Sequence, residues 1–239
     1  FINSLRLLKG LSKEINLVFS VVITLLLSSL LYFFTLTIGS GLMITFGTVA
    51  FVLLVFLIIS LNKTKVKIIT IKQVFDNLKK TDLLFIFISL FAFLLFINKT
   101  QKWGLWDAWA IWSLHAEFLF YPETWKNLFD PALAWNHTDY PLFLPSLIAL
   151  FWNANGEISS MVPFVIGFIP YFLMIFFFYH AFDKKLFGII CIFLILIDIG
   201  FVTRAASQYA DTYLALFILL SYYGLIQSSK NKQNTIFPI

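Results

Sequence analysis

Long apolar blocks separated by polar stretches make up most of this chain. Six blocks are candidates to cross a membrane, at about 17–36, 42–61, 83–97, 161–181, 186–202 and 212–226. They are apolar throughout and lack the 3.6-residue or two-residue period of half-buried elements. A transmembrane helix needs roughly 20 residues, so the blocks 83–97 and 212–226 must borrow flanking residues or thin the bilayer. The pattern predicts an all-α fold, a polytopic transmembrane helical bundle.

A seventh apolar block, 141–152, has only twelve residues and contains Pro141 and Pro145. If this block does not cross and the N-terminus is cytoplasmic, thirteen of the 17 Lys and Arg residues lie inside. If it crosses, Lys184, Lys185 and the C-terminal lysines change sides and the asymmetry weakens. Cytoplasmic loops carry an excess of Lys and Arg. We therefore predict about six spans, a re-entrant or interfacial helix at 141–152, and one external loop, 99–160, that contains interfacial helices.

The composition agrees with an integral membrane protein. Hydrophobic residues make up 60% of the chain, charged residues only 12%, and the mean hydropathy is +0.90, whereas a soluble domain is about a quarter charged. Because the lysines lie between apolar blocks, the positive-inside rule explains the net charge of +5 better than a nucleic-acid partner does. The chain starts at Phe1 and ends just after a basic turn, so we expect a single transmembrane domain, 1–239, truncated at its C-terminus.

All seven tryptophans fall between Trp103 and Trp152, in the one long polar stretch of the sequence. The same stretch holds five of the twelve acidic residues and two of the three histidines. Tryptophan concentrates where membrane meets water, because its ring is apolar while its N–H needs a partner. Acidic residues in such a belt are candidates for chemistry at the membrane surface.

Asp107 lies within a run of tryptophans spaced by three, Trp103, Trp106, Trp109 and Trp112. On a helix this spacing makes a slowly rotating stripe, suited to lying in the interface plane. Asp107 follows Trp106 by about 100° on a helix, which places it at the edge of the stripe, facing an aqueous pocket. The alternative is that Asp107 only caps or solvates an interfacial helix. His115 lies eight residues later, on nearly the same helix face, but one carboxylate and one imidazole do not make a metal site.

Asp139 precedes Pro141, which restricts Tyr140 to extended geometry, so its carboxylate is expected on a rigid turn. An acid placed near a helix N-terminus explains the same position equally well. His137 is a candidate base or ligand, or simply a polar surface residue.

Two further residues carry charge where it is costly or useful. Asp198 lies inside an apolar run, where an acid is often functional, although a snorkelling or hydrogen-bonded structural role fits as well. Arg204 is the only arginine predicted outside, and its planar fork is the best group for a phosphate, with Lys102 as an alternative. Arg204 and Asp211 belong to a short external segment, 203–211, expected to meet the tryptophan belt.

Three passages resemble the GT-C superfamily of polytopic glycosyltransferases, in the family 39-like branch related to protein O-mannosyltransferases and the lipid A aminoarabinose transferase. They are Gly104-Leu-Trp-Asp107-Ala-Trp-Ala-Ile-Trp, His137-Thr-Asp139-Tyr-Pro141-Leu-Phe-Leu-Pro145 and Gln208-Tyr-Ala-Asp211-Thr-Tyr-Leu-Ala-Leu-Phe, and they occur in the family's order. Thr138 and Tyr213 stand where the family has prolines. Two predicted spans precede the acid-bearing loop, where many members have one.

The resemblance implies a GT-C-like fold in a bacterial inner or plasma membrane, with the active face non-cytoplasmic. It implies transfer of a hexose or pentose from a polyprenyl-phosphate donor to a lipid, glycan or protein acceptor, with inversion at the anomeric carbon. Asp107 is then the acid that activates the acceptor, with Asp139 and Asp211 as supporting carboxylates and Arg204 as the phosphate contact. The remaining residues expected to bind substrate are Lys102, His137, Tyr140 and Trp106. No cofactor is implied for certain, and a divalent metal ion is left open.

Two other classes of protein fit parts of this pattern. A transporter or flippase of lipid-linked or small substrates would suit the intramembrane Asp198. However, transporters place their polar sites at the midplane between repeats, whereas this chain places its polar residues in an external loop. A third class is a non-catalytic membrane subunit that only holds lipid.

Overall fold

The computed structural model describes residues 11–39 and 78–236, and every regular element within them is helical. The predicted span 42–61 lies outside the described residues. The helices are α1 (Lys13–Ile38), α2 (Lys80–Lys99), α3 (Leu114–Phe120), α4 (Phe143–Asn155), α5 (Met161–Ala181), α6 (Lys185–Ile197), α7 (Ile199–Ala206) and α8 (Asp211–Ile236). A π-helical turn, Ala108–Ser113, runs into α3, and two 3-10 turns, Trp125–Phe129 and Pro131–Asn136, follow it. The all-α prediction is confirmed for the described part of the chain.

Four of the described helices are long and apolar enough to cross a membrane, namely α1, α2, α5 and the first 20 residues of α8. The pair α6 and α7 is a fifth candidate, bent by 76° at the break between them. Several long apolar helices are what an integral membrane protein requires. The predicted bundle of apolar helices is thus confirmed at this coarse level.

The predicted span 186–202 is not one continuous helix, because the helix breaks at Asp198, and α6 and α7 together remain a candidate for one bent span. The backbone of Asp198 leaves the helical region, with φ −76° and ψ 86°, and its carboxylate accepts a hydrogen bond from the Phe201 N–H at 3.1 Å. An aspartate that accepts from the third residue of a helix is an N-cap, and such a cap starts a new helix. The structure therefore gives Asp198 a hydrogen-bonded structural role.

Helix α5 lies at the centre of the described bundle. It packs against α1, α2, α4, α6, α7 and α8. Ile166, Tyr171 and Tyr179 on different faces of α5 are fully or almost fully buried, as expected for a helix that is apolar all round. The other apolar helices expose one side, which in a bilayer would face lipid.

The lysine-bearing ends of three helices meet at one end of the bundle. Lys185, at the start of α6, donates a hydrogen bond to the Tyr179 carbonyl at 3.2 Å, and the Tyr179 hydroxyl donates to Asp82 at the start of α2. Glu14, at the start of α1, interacts electrostatically with Lys185. The positive charges flanking α1, α2 and α6 therefore lie at the same end of the bundle, as the positive-inside rule predicts.

Helix α4, which contains most of the block 141–152, lies across α1. Ser29 donates to the Phe143 carbonyl at 2.8 Å, and Asn153 donates to the Tyr32 hydroxyl at 2.6 Å. The two contacts are about 4.5 Å apart along α1 but about 15 Å apart along α4 at 1.5 Å per residue, so the helices cross steeply. With 13 residues, α4 is only about 20 Å long against a core of about 30 Å. Every residue from Leu144 to Leu150 is buried, so α4 is enclosed by protein.

Candidate functional site

The segment 101–107 lies directly against the turn between α7 and α8. The Leu105 N–H donates to the Ser207 carbonyl at 3.4 Å, and the Gln208 side chain donates to the Gln101 carbonyl at 3.1 Å. Gly104 is at the contact with φ +74°, and a Cβ on it would overlap the Ser207 carbonyl oxygen. Glycine is required there both by the left-handed backbone and by the close approach. These contacts join the two predicted external segments.

Tyr209 lies within the electrostatic reach of both Asp107 and Asp211. Burial raises the pKa of the Tyr209 hydroxyl above its usual 10, and the nearby carboxylates of Asp107 and Asp211 raise it further. A hydrogen bond with the Asp107 backbone lowers the pKa of Tyr209 but does not reverse the shift. Tyr209 therefore keeps its proton at neutral pH and can donate a hydrogen bond beside two carboxylates.

The Asp107 side chain does not cap the helical turn that follows it. It is half-buried at the start of the π turn, and its carboxylate makes no hydrogen bond or ion pair within residues 11–39 and 78–236. π turns are rare and occur often at functional sites. A capping role is therefore not what the structure gives this carboxylate.

Two of the four tryptophans predicted to form an interfacial stripe are exposed, and the other two are not part of such a stripe. Trp106 and Trp109 are 60% and 47% exposed and meet edge to face at 4.7 Å. Trp112 is only 7% exposed, because the wider π turn carries its ring under Tyr140, with centroids 5.5 Å apart. Trp103 precedes the helix and packs against Trp152.

Asp139 lies exposed on a tight turn that ends at Tyr140. The Tyr140 N–H donates to the His137 carbonyl at 3.0 Å, and the two rings stack at 4.6 Å. His137 has φ +61°, a left-handed conformation that is uncommon for a residue with a side chain. The N-cap of α4 is Leu142, so Asp139 does not cap that helix. The turn presents the Asp139 carboxylate and two stacked rings together.

His115 does not share the environment of Asp107, contrary to the expectation from their spacing. His115 is 0% exposed and its Nε2 lies 3.2 Å from Asn136 Oδ1. Burial lowers the pKa of the His115 imidazole below 6.5, although hydrogen bonds with the side chain and the backbone of Asn136 raise it in part. The intervening π turn changes the angular register between positions 107 and 115. His115 is therefore a buried neutral imidazole.

Arg204 and Lys102 supply the positive charge near these segments. Arg204 is exposed in the last turn of α7, and its guanidinium and the Asp198 carboxylate both lie within 4 Å of the position that a Cβ on Gly200 would occupy. Arg204 makes no hydrogen bond or ion pair with the described residues. Lys102 is exposed on the docked segment 101–107. The structure docks the segment that bears Asp107 on the turn that precedes Asp211, and it places Arg204 in the last turn of the helix that leads into that turn.

Sequence reasoning missed Tyr209, Gln208 and Asn136. Gln208 is buried with φ +63°, and its Oε1 has no partner among the described residues. Gln208 packs on Gly167, where a larger residue would meet it at 3.2 Å. The only sequence signal for Gln208 and Tyr209 was their place in the passage that begins at Gln208 and contains Asp211, and Asn136 had no signal beyond its neighbour His137.

An apolar cleft of about 600 Å³ opens between the end of α4 and the first half of α5. Its wall includes Phe151, Met161, Val165 and Ile169, with Glu157 among the few polar residues. The spacing of the α5 residues puts them on one helix face. The cleft can hold an apolar chain beside the segment that follows α4.

Comparison with known proteins found no match for this chain: no family model, no curated protein and no solved structure. Within residues 11–39 and 78–236, no three His, Cys, Asp or Glu side chains are grouped so that they could hold a metal ion. The geometry of Asp107, Tyr209 and Asp211 is therefore what bears on function.

Proposed function

We propose that this chain is a membrane glycosyltransferase that moves a hexose or pentose from a polyprenyl-phosphate donor to an acceptor on the non-cytoplasmic face of a bacterial inner or plasma membrane. The observation that carries the proposal is the docking of the segment that bears Asp107 on the turn before Asp211, through the hydrogen bonds of Leu105 with Ser207 and of Gln208 with Gln101. Asp107 and Asp211 both act electrostatically on Tyr209 in that turn. Two carboxylates and a protonated phenol, drawn from segments 100 residues apart, make a group able to bind and deprotonate a hydroxyl. The acceptor is a lipid, glycan or protein.

Asp107 is the proposed general base. Its carboxylate is half-buried and has no hydrogen-bond partner in the described part of the chain, so it is free to take the acceptor proton. The acceptor oxygen attacks the anomeric carbon, the bond from that carbon to the phosphate oxygen breaks, and the configuration inverts. Asp211 and Asp139 are supporting carboxylates that bind sugar or acceptor hydroxyls. The neutral Tyr209 donates a hydrogen bond in the same place.

The leaving group is a lipid phosphate, which gains negative charge as its bond to the sugar breaks. Positive charge placed where that charge develops lowers the barrier. Arg204 and Lys102 are exposed cations on the two segments that dock against each other. Arg204 makes no hydrogen bond or ion pair among the described residues, although the Asp198 carboxylate lies near its guanidinium. Arg204 is the proposed phosphate contact.

Flat rings and an apolar cleft suit the rest of such a donor. Trp106 is exposed beside Asp107, and His137 and Tyr140 stack on the turn that carries Asp139; we assign these three rings to sugar or acceptor binding. The apolar cleft between α4 and α5 has the chemistry of a site for part of an isoprenoid chain or a membrane lipid.

The test is transfer from polyprenyl-phosphate-linked sugars by the purified chain and by Asp107→Asn. Loss of a general base typically costs about 10²–10⁴-fold in rate, so Asp107→Asn should lose at least about 100-fold. Glu117→Gln is the matched control, because Glu117 is an exposed acid on α3 without a hydrogen-bond partner in the described part. Full activity in Asp107→Asn would contradict the assignment. Movement of intact donor across the membrane, without cleavage, would favour the transporter instead.

A further inference from the structure

The turn that carries Asp139 is held at both ends by two residues of one helical segment. At its start, His115 Nε2 is paired with Asn136 Oδ1 at 3.2 Å. At its end, the Trp112 ring stacks on Tyr140 at 5.5 Å. Trp112 and His115 are three residues apart, so they project from neighbouring positions on the helix surface. We call these two contacts the clamp.

The clamp connects the Asp139 turn to the segment that begins at Asp107. Asp107 directly precedes the π turn Ala108–Ser113, which continues into α3 without a break. Ala108, Ala110 and Ile111 are buried, so the π turn is fixed by its packing. Because the π turn and α3 are packed as one continuous helical segment, Asp107 at its start is fixed relative to Trp112 and His115. The clamp therefore fixes the position of Asp139 relative to Asp107.

The clamp is built for a neutral imidazole. His115 is fully buried and Asn136 is 1% exposed. With Nε2–H donating to Asn136, the other ring nitrogen, Nδ1, has no partner among the described residues. A proton added at Nδ1 would be a buried charged donor without an acceptor, which is costly. Among the described ionisable groups, only His137 acts on His115 electrostatically, and it acts against a second positive charge.

We propose that Trp112 and His115 are positioning residues, which hold the turn carrying Asp139 in place relative to Asp107 and release it when His115 is protonated. As a statement about catalysis this inference rests on the proposed function, in which both carboxylates serve one reaction. As a statement about structure it does not, because opening of the turn can be measured without any substrate.

The experiment follows the reaction of a cysteine at position 138 with a maleimide. Thr138→Cys is made together with Cys191→Ser. Its labelling rate is divided by that of Asn155→Cys, since Asn155 is exposed at the end of α4. This ratio removes the dependence of thiol reactivity on pH. Opening that charges a histidine of ordinary pKa 6.5 becomes about tenfold easier between about pH 7.5 and about pH 5.5. The normalised rate should rise by about that factor.

Two substitutions at His115 separate positioning from simple stability. His115→Gln retains a donor for Asn136 but cannot be protonated, so its normalised rate should be low and independent of pH. His115→Leu loses the hydrogen bond, so its rate should be high and independent of pH. A flat profile in the unsubstituted protein, or an unchanged rise in His115→Gln, would overturn the proposal.

Transfer activity supplies the readout that depends on the proposed function. The acid limb of the kcat profile should flatten in His115→Gln, because opening of the turn no longer depends on pH. If no transfer is found with any donor while the labelling result holds, the clamp stands and the glycosyltransferase assignment fails. If transfer is found but the labelling rate at position 138 depends neither on pH nor on substitution of His115, the clamp proposal is wrong while the glycosyltransferase assignment stands.

Discussion

Asn153 donates a hydrogen bond to the Tyr32 hydroxyl at 2.6 Å, and that hydroxyl donates in turn to the Leu119 carbonyl at 2.8 Å. One phenol thus joins α1, α3 and α4. Tyr32 and Leu119 are both fully buried, so the Leu119 carbonyl loses its donor if the hydroxyl is removed, whereas Asn153 is half-buried and also donates to the Ala149 carbonyl at 3.0 Å. The short helices beside the candidate site are therefore tied to α1 by this relationship.

Tyr32→Phe should destabilise the protein without changing its helices. Removing the hydroxyl leaves the buried Leu119 carbonyl without its donor, at a cost of about 1–3 kcal/mol. We expect a lower midpoint of thermal unfolding in detergent with an unchanged far-ultraviolet circular dichroism spectrum. Tyr222→Phe, an exposed tyrosine of α8, is the control. Equal midpoints for the two variants would mean that the network adds nothing.

Gly104→Ala should separate the two docked segments. An alanine at φ +74° pays about 1–2 kcal/mol for the left-handed backbone, and its Cβ would also overlap the Ser207 carbonyl. Gly156→Ala is a matched control, because Gly156 has φ +79° with open space around it. We expect Gly104→Ala to lower stability by about 3 kcal/mol or more and Gly156→Ala by about 1. The two thermal midpoints report the difference, and equal losses would argue against tight docking.

Tyr209→Phe should slow transfer while leaving the fold intact. The substitution removes the hydrogen-bond donor that lies beside Asp107 and Asp211 but keeps the ring. We expect kcat to fall about tenfold or more, with Tyr121→Phe, an exposed tyrosine after α3, as the control. Rates equal to the parent protein would remove Tyr209 from the site.

Stability should fall in acid because of His115. Above about pH 6.5 neither the folded nor the unfolded state carries this proton, and the buried imidazole adds no dependence on pH. Below that pH the unfolded chain binds a proton that the folded protein resists, since burial lowers the pKa of His115. The free energy of unfolding should drop by up to about 1.4 kcal/mol per pH unit. Thermal midpoints from pH 7 down to 5, compared with His115→Gln, measure this; parallel curves would rule out His115 as the cause.

The two ends of the bundle should lie on opposite sides of the membrane. Glu123 is exposed beyond α3, and Asp183 is exposed near the lysine-bearing end. In a Cys191→Ser background, Glu123→Cys should react with an impermeant thiol reagent in intact cells, and Asp183→Cys only after lysis. The reverse pattern would invert the orientation.

The sequence predicted where the helices are because apolar block length needs no knowledge of partners. It did not predict the break at Asp198, since an acid in an apolar run is compatible with both a buried charge and a helix cap. The block at 141–152 is too short to cross, which was visible, but its steep crossing of α1 depends on Ser29 and Tyr32, more than 100 positions away.

The candidate site was harder to predict than the fold. Asp107 and Asp211 could be nominated separately, but their meeting at Tyr209 depends on how Gly104 and Gln208 let two segments touch. A helical wheel of 3.6 residues per turn could not predict the π turn, and the π turn determines which tryptophans are exposed. Local sequence spacing was thus enough to identify the carboxylates as candidates, but their arrangement depends on contacts between segments far apart in the chain.

The break at Asp198 has a consequence for the depth at which substrates are met. Helix α6 has 13 residues and is therefore about 20 Å long, about 10 Å less than the thickness of a 30 Å hydrocarbon core, so α6 alone is too short to cross one. Helix α7 then turns aside by 76° and delivers Arg204 toward the α7–α8 turn from that level. Transfer activity should accordingly depend on bilayer thickness. In a thick membrane the headgroup of a lipid-linked donor lies farther from Arg204 than in a thin one, so activity should be higher in thin bilayers.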